Sequence, residues 1–373
     1  MASDRTRRAA AAHKAAMKHV DMLTEAGQEL RRVPGMARKI EGMSRGIPIE
    51  WTLQDALSYD LQTRVEAGDL IGEVAICELW KRNGRVCYDM DPELSEALCR
   101  SKMVAVPGSL FDRIPHINPM VVLPEPWLVE ESKDDGCGYV RCFFLVGYTG
   151  NALCNTNDPD REGLAILFCY DREDEEGNRI PGSHRDLMPL PTDRERFTVD
   201  EAVSFVQDWH GVDAFDDKQR RKTAKTFKPL LQKTFSVITY LTMDNRDVVE
   251  PEVEVRRRKK TGKNRKAPDR DPFWVRVGWY VGPALHEARM RATGPKDGNI
   301  SIPSGIEHGP QHRAGHFKII WFGPGKKQYT SKWVKPYWTK KEDLPADFDP
   351  PTQIVPVNPQ RADPLRRRKT IGR

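Results

Sequence analysis

The spacing of apolar residues changes along this chain, and that change limits the fold more than any other feature. Between residues 52 and 80, Leu57, Leu61 and Val65 recur at helical spacing, with an interruption expected near Gly68. From residue 120 onward, three β-rich runs follow one another between clusters of turn residues: 120–123, 139–148 and 163–171. A helical N-terminal part therefore precedes an antiparallel β-rich middle, and the predicted fold class is α+β.

Two long helices are predicted after the third of these runs. Thr198 and Glu201 have the spacing of a capping box, which marks the start of a helix. A second helix is expected over 217–243, with Phe235 on its apolar face. Pro229 lies inside that segment and predicts a kink or a break, because proline cannot donate the backbone hydrogen bond.

The cationic residues are concentrated towards the C-terminus. Lys and Arg outnumber Asp and Glu by 60 to 54, for a net charge of +6. Five cations stand in one row: Arg256, Arg257, Arg258, Lys259 and Lys260. Such a cluster favours an anionic partner, of which nucleic acid is the commonest. The chain then divides into a helical N-terminal region, an α+β body, a basic linker, a β-rich nucleic-acid-facing region and a disordered basic tail: 1–115, 116–250, 251–271, 272–340 and 341–373.

A small antiparallel β-hairpin is expected in the C-terminal region. Strands over 316–322 and 328–337 flank Pro324-Gly325, which fits the centre of a type II turn. Cations alternate here with aromatic rings, as the binding of single-stranded RNA or DNA requires. The candidate residues are His312, Arg313, His316, Lys318, Trp321, Lys326, Lys327, Tyr329, Lys332 and Trp333. The alternative is a small sheet whose tryptophans form a core and whose lysines only face solvent.

His312 and His316 admit a second interpretation. Four residues along one strand separate two side chains by about 13 Å, too far to share a metal ion unless a bend at Gly315 brings them together, and no Glu or Cys stands nearby. We predict no metal and no cofactor. An acid–base pair, with Arg313 stabilising a pentavalent phosphate, would make the protein an RNA endonuclease. A plasmid or phage DNA-binding regulator is a further alternative, although no helix-turn-helix is evident.

Several other classes find no support in the sequence. The seven cysteines form no CxxC pair, which is typical of reduced thiols in a reducing compartment. No apolar stretch approaches the roughly 20 residues that span a bilayer. The N-terminus lacks the apolar segment of a signal peptide. We therefore predict a cytoplasmic protein without a membrane partner and without recognisable catalytic machinery.

The C-terminal motif resembles that of a phage and plasmid protein family that includes a type V-A anti-CRISPR protein. The residues that carry the likeness are His312-Arg313-Ala314-Gly315-His316-Phe317, then Trp321, Gly323, Gly325 and Trp333-Val334-Lys335-Pro336. Ala314 and Phe317 stand where the family motif has Arg and Trp. The order of the upstream elements is also similar.

That resemblance implies an unusual function. The anti-CRISPR member of the family suppresses its target nuclease by recognising the nascent polypeptide and provoking decay of the mRNA. By likeness, the α+β body would recognise a polypeptide, and the basic hairpin would hold RNA that is mRNA or ribosome-associated. The expected partners are therefore RNA and the nascent polypeptide of a target protein.

Overall fold

The computed structural model describes most of the chain. The described residues are 4–33, 35–45, 61–101, 103, 105–130, 137–149, 162–173, 179–209, 217–244, 246–251, 271–283, 285–286, 311–313, 316–324, 328–334 and 337–339. The helices are α1 (Asp4–Arg32), α2 (Met36–Met43), α3 (Leu61–Arg82), α4 (Pro92–Cys99), α5 (Val199–Trp209) and α6 (Asp217–Leu241), with a 3₁₀ helix at Gly108–Arg113.

Thirteen strands accompany these helices in the described residues. They are β1 (Val86–Met90), β2 (Ala105–Pro107), β3 (Met120–Glu130), β4 (Cys137–Thr149), β5 (Glu162–Glu173), β6 (Arg179–Leu190), β7 (Arg196–Thr198), β8 (Val248–Val249), β9 (Phe273–Val277), β10 (Gln311–Arg313), β11 (His316–Phe322), β12 (Gln328–Val334) and β13 (Tyr337–Thr339). The combination confirms the predicted α+β class.

One mixed sheet of seven strands organises the molecule, in the order β6-β5-β4-β3-β1-β9-β8. The strands from β3 to β6 are antiparallel neighbours, as their runs of strand-forming residues predict for the first three. β1 is parallel to both β3 and β9, which the sequence did not suggest. The register between β3 and β4 shifts between Val122 and Trp127, where Pro124 and Pro126 cannot donate to the ladder.

Helices cover both faces of this sheet, so the central strands are buried on two sides. One apolar cluster, which we call the α1 face, joins α1, α2 and α3 to residues such as Cys87, Met120 and Phe144. The other, which we call the α6 face, joins α4, α5, α6 and the 3₁₀ helix to residues such as Tyr88 and Phe143. Alternation along each strand sends neighbouring residues to opposite faces.

The helix starts follow their capping residues. Thr198 Oγ1 accepts from Glu201 N at 3.1 Å, and Glu201 Oε2 accepts from Thr198 N at 2.6 Å, so the predicted capping box is confirmed. Asp91 Oδ1 accepts from the backbone N–H groups of Glu93 and Leu94 and caps α4.

Two expected breaks are absent from the helices described. α3 runs unbroken through Gly68, and α6 runs unbroken through Pro229. Proline deprives α6 of one backbone hydrogen bond, but residues beyond it, including Leu231 and Phe235, are fully buried and hold the helix in place. Tertiary packing therefore outweighs the local cost of the ring.

Candidate nucleic-acid interface

The C-terminal hairpin forms as its alternating pattern predicts. β11 and β12 are antiparallel, with Phe317 opposite Trp333, Lys318 opposite Lys332 and Trp321 opposite Tyr329. Gly323 follows β11 with φ of +77°, a conformation that suits glycine at the start of the turn. The Pro324-Gly325 turn itself lies partly outside the described residues.

The inner face of the hairpin docks on the α6 face of the body. The Trp333 side chain is only 7% exposed, and its ring stands perpendicular to Tyr240 with centroids 6.0 Å apart. Its Nε1 donates to Ser101 Oγ at 3.4 Å. Phe317 packs against the same cluster, and the Arg113 guanidinium lies 5.8 Å from the Tyr329 ring centroid. Aromatic residues therefore fix the position of the hairpin.

The burial of Trp333 changes its role. The sequence places it among the residues that could stack on a base, whereas the structure gives it neighbours on its ring and little solvent contact. Trp333 therefore acts as a docking residue, in agreement with the alternative of tryptophans as core. Tyr329 is half-buried beside Arg113.

The outer face of the hairpin carries cations and apolar groups together. Lys318 and Lys332 are both exposed and stand directly opposite each other on neighbouring strands. Ile320 and Phe322 share the parity of Lys318 along β11 and are 40% and 47% exposed. Like charges in directly opposed positions destabilise a strand pair. A bound phosphate would relieve that repulsion, and an exposed ring beside it would stack on a base.

The two histidines do not lie on one continuous strand, which corrects that expectation. β10 pairs with β13, where His312 is opposite Trp338. His316 begins β11 and is opposite Val334, in a different strand pair. The chain between the two strands lies outside the described residues, as do the side chains of His312, Arg313, His316 and Trp321. Their candidate roles stay predictions.

Other predicted site residues also lie outside the described part of the chain. These are Arg256, Arg257, Arg258, Lys259, Lys260, Lys326 and Lys327. Within the described ranges, His, Cys, Asp and Glu side chains do not gather into a set of three that would hold a metal ion. In the same ranges, no helix has the length and apolar character needed to cross a membrane.

A second cationic surface emerges on α6, which the sequence interpretation passed over. Lys218, Arg221, Lys222, Lys225 and Lys228 are all exposed. Their signal was visible in the sequence, because cations recur at spacings of three and four between 218 and 228. The apolar residues further along the same segment predicted a helix packed against the core, and they do not reveal that its first half is exposed.

Fold and interface together define an α+β protein that carries a cationic strand pair docked through aromatic rings. The model of the anti-CRISPR type V subtype A2 family, AcrVA2-like, matches residues 88–341, and this chain belongs to that family. The match includes the hairpin. A solved structure described as the crystal structure of AcrVA2 is similar, at 15% identity and a TM-score of 0.46, over 90% of this chain and 98% of that one. A search of curated proteins found no match.

Proposed function

We propose that this protein is a translation-coupled anti-CRISPR-like regulator that recognises a nascent polypeptide and promotes decay of its mRNA. The α+β body recognises the polypeptide, and the C-terminal hairpin contacts RNA, either mRNA or ribosome-associated. The observation that carries the RNA contact is the opposed pair Lys318 and Lys332 on the outer face of the hairpin, inside the family match. Polypeptide recognition and mRNA decay come from the family likeness.

The chemistry of the hairpin suits a single strand of RNA. Lys318 and Lys332 neutralise phosphate, and the exposed Phe322 ring offers a face on which a base stacks, worth about 1–3 kcal/mol. These contacts are largely independent of sequence, because every base has an aromatic face. Selectivity for one message then comes from the polypeptide, which identifies the ribosome that is translating it. The proposal assigns no catalytic step to this chain.

Crosslinking in cells followed by sequencing tests the RNA contact. Wild-type protein should recover mRNA or ribosomal RNA, and the Lys318→Gln/Lys332→Gln variant should recover several-fold less. The matched control is Lys14→Gln/Lys18→Gln, which removes two exposed cations from α1 on the opposite face of the sheet. Equal recovery by all three proteins, or recovery of DNA alone, would remove the hairpin from the proposal.

Two reporters made from the most enriched message separate polypeptide recognition from RNA recognition. The first keeps the amino-acid sequence and replaces the codons with synonymous ones. The second keeps nearly all nucleotides and shifts the reading frame. When the protein is present, the half-life of the synonymous reporter should fall and that of the frame-shifted reporter should not. The reverse result would show that RNA sequence, and not the polypeptide, is recognised.

The ribonuclease alternative has its own test. Purified protein incubated with single-stranded RNA and a metal chelator should leave the RNA intact under the leading proposal. Cleavage with a bell-shaped pH profile that His316→Ala abolishes would favour the endonuclease instead. Binding without cleavage, retained in that variant, agrees with a regulator.

A further inference from the structure

The first half of α6 is an exposed helix surface with a single sign of charge. After Asp217, the helix contains no Asp or Glu. Lys218, Arg221 and Lys225 follow at spacings of three and four, so they lie on one side of the helix, with Lys222 and Lys228 beside them. All five side chains are exposed. From 218 to 228 this cationic row covers about 15 Å, or nearly three turns.

A carboxylate pairs with the last cation of the row. Lys228 Nζ lies 2.6 Å from Asp200 Oδ1, in an ion pair whose two side chains are 50% and 71% exposed. No ion pair holds Lys218, Arg221 or Lys225 within the part of the chain that the structure describes. Their positive charge is therefore available to a partner in solution.

The position of the row is unfavourable for the helix itself. Cations near a helix N-terminus oppose the helix dipole, and like charges at spacings of three and four repel one another. An anion near this end would be attracted by the helix dipole and the cations together. The cationic row lowers the stability of the isolated helix, and a bound polyanion would remove that cost.

The packing of α6 limits what kind of polyanion fits. Its apolar side, including Leu230, Leu231 and Phe235, is buried against the body. A helix that binds the membrane surface inserts its apolar side, which is already occupied here. What remains exposed is an extended row of cations along the helix. A nucleic-acid backbone, with regularly repeated phosphates, matches that surface.

We propose that the cationic row of α6, formed by Lys218, Arg221, Lys222, Lys225 and Lys228, is a second RNA-binding surface that contacts the phosphate backbone. It rests on the proposed RNA contact and adds a site on the body, apart from the hairpin. The row supplies sequence-independent attraction to phosphate, and the hairpin adds the exposed ring of Phe322 for stacking on a base. A single RNA strand held at both places stays on the protein longer than at either alone.

Fluorescence anisotropy on the full-length protein tests the row. The probe is a labelled poly(U) RNA of roughly 20 nucleotides, which is longer than a single binding site. The row variant is Lys218→Gln/Arg221→Gln/Lys225→Gln, since glutamine keeps a similar helix propensity. The matched control removes three exposed cations from the opposite face, as Lys14→Gln/Lys18→Gln/Arg38→Gln. The Lys318→Gln/Lys332→Gln variant reports on the hairpin separately.

The row variant should bind at least about tenfold more weakly at 50 mM salt, because three of the cations that neutralise phosphate are absent from it. Its slope of log affinity against log salt should be smaller by about 2, because each phosphate that a cation neutralises on a single strand adds roughly 0.7 to that slope. The opposite-face control should keep the wild-type slope. The melting temperature of the row variant should be unchanged or higher, because repulsion has been removed.

The outcomes separate this inference from the proposed function. Wild-type affinity and slope in the row variant, with weaker binding by the hairpin variant, would overturn the row and leave the hairpin proposal standing. A wild-type protein that does not bind poly(U) would overturn both. Tighter binding to a DNA strand of equal length and sequence, with T in place of U, would overturn the assignment of RNA as the partner.

Discussion

The two faces of the central sheet are joined to their helices in different ways. On the α1 face, apolar packing is accompanied by polar pairs between helix and sheet. His13 Nε2 lies 3.0 Å from Asp89 Oδ1, and the fully buried His19 places its Nε2 3.2 Å from Asp171 Oδ1. Arg185 on β6 reaches Glu73 of α3 at 3.0 Å. These contacts help to define where α1 and α3 sit on the sheet.

On the α6 face, contacts between aromatic rings take the place of these polar pairs. Phe111, Phe197 and Phe235 lie within 6.2 Å of one another by ring centroid. Trp333 extends the same apolar cluster to the hairpin. Such contacts depend on shape and buried area and are insensitive to pH.

The two kinds of contact contribute differently: polar contacts favour one placement of a helix, and aromatic packing adds stability. Buried polar contacts add little net stability but are costly to break, because a group that loses its partner is left unsatisfied, so these contacts favour one placement of α1 over others. Aromatic packing supplies stability on the α6 face, and Lys218, Arg221 and Lys225 of α6 have no ion pair among the described residues. The α6 face is therefore the one that carries both proposed RNA contacts.

Truncating Phe235, in the aromatic cluster of the α6 face, should have the largest effect on stability. Phe235→Ala should lower the free energy of unfolding by about 3–5 kcal/mol, through lost burial and a cavity between Phe111 and Phe197. Chemical denaturation measures this change. Phe235→Leu fills most of the space and should cost clearly less. Equal losses in both variants would show that ring shape, and not volume, holds this cluster.

Breaking a polar contact on the α1 face should lower the free energy of unfolding by less. Asp171→Asn leaves His19 and Arg141 without a carboxylate, and Arg141 Nε lies 2.5 Å from Asp171 Oδ2 in the wild type. We expect a loss of about 2–3 kcal/mol, below the value for a fully buried pair because Arg141 reaches solvent. The exposed Asp21 on α1 is the control, and Asp21→Asn should change stability little. A larger loss than in Phe235→Ala would reverse the comparison.

The smallest expected effects are changes of stability with pH. The pH range of these changes differs between the two faces. Burial acts to raise the pKa of Asp171, but His19 and Arg141 outweigh it and hold that pKa below its ordinary value. A carboxyl with a lowered pKa stabilises the fold above its unfolded pKa and loses that contribution in acid. The stability gap between wild type and Asp171→Asn should therefore narrow below about pH 4. An unchanged gap in denaturation curves at low pH would contradict the assignment.

His116, on the α6 face, should affect stability at a higher pH than Asp171 does. Burial lowers its pKa, while Glu250 opposes the shift, and its Nδ1 is 2.7 Å from the Tyr88 hydroxyl. A histidine whose pKa is lowered in the fold binds protons less readily when folded than when unfolded, so stability falls as the pH drops below about 6.5. A small loss between neutral pH and pH 5 should be present in wild type and reduced in His116→Gln.

Local signals in the sequence were sufficient where the interactions themselves are local. The capping box of Thr198 and Glu201 needs only four residues, and the hairpin register follows from alternation over β11 and β12. The division into regions, most of the site residues and the partners stay predictions. The docking of the hairpin could not be predicted from local patterns. Trp333 contacts Tyr240 and Ser101, which are distant from it in the sequence.

Three features were missed for reasons of tertiary context. β1 is buried on both faces, so it lacks the alternation that marks a half-exposed strand. β6 contains Pro181 and Pro189, which read as turn residues, and lies at the edge of the sheet, where proline is tolerated. β9 lies in the region 272–340 that was predicted to be β-rich, but its place between β1 and β8 could not be read from its own residues.

That place of β9 has a consequence for the order in which the protein is made. β1 pairs along its whole length with β9, so Val86 must wait for Phe273 to leave the ribosome before the sheet closes. Until then β1 presents an open edge, the kind of surface on which other chains aggregate. Pairing between residues so distant in the sequence also folds slowly. Chains that terminate before β9 should therefore accumulate as insoluble protein, however complete their helices are.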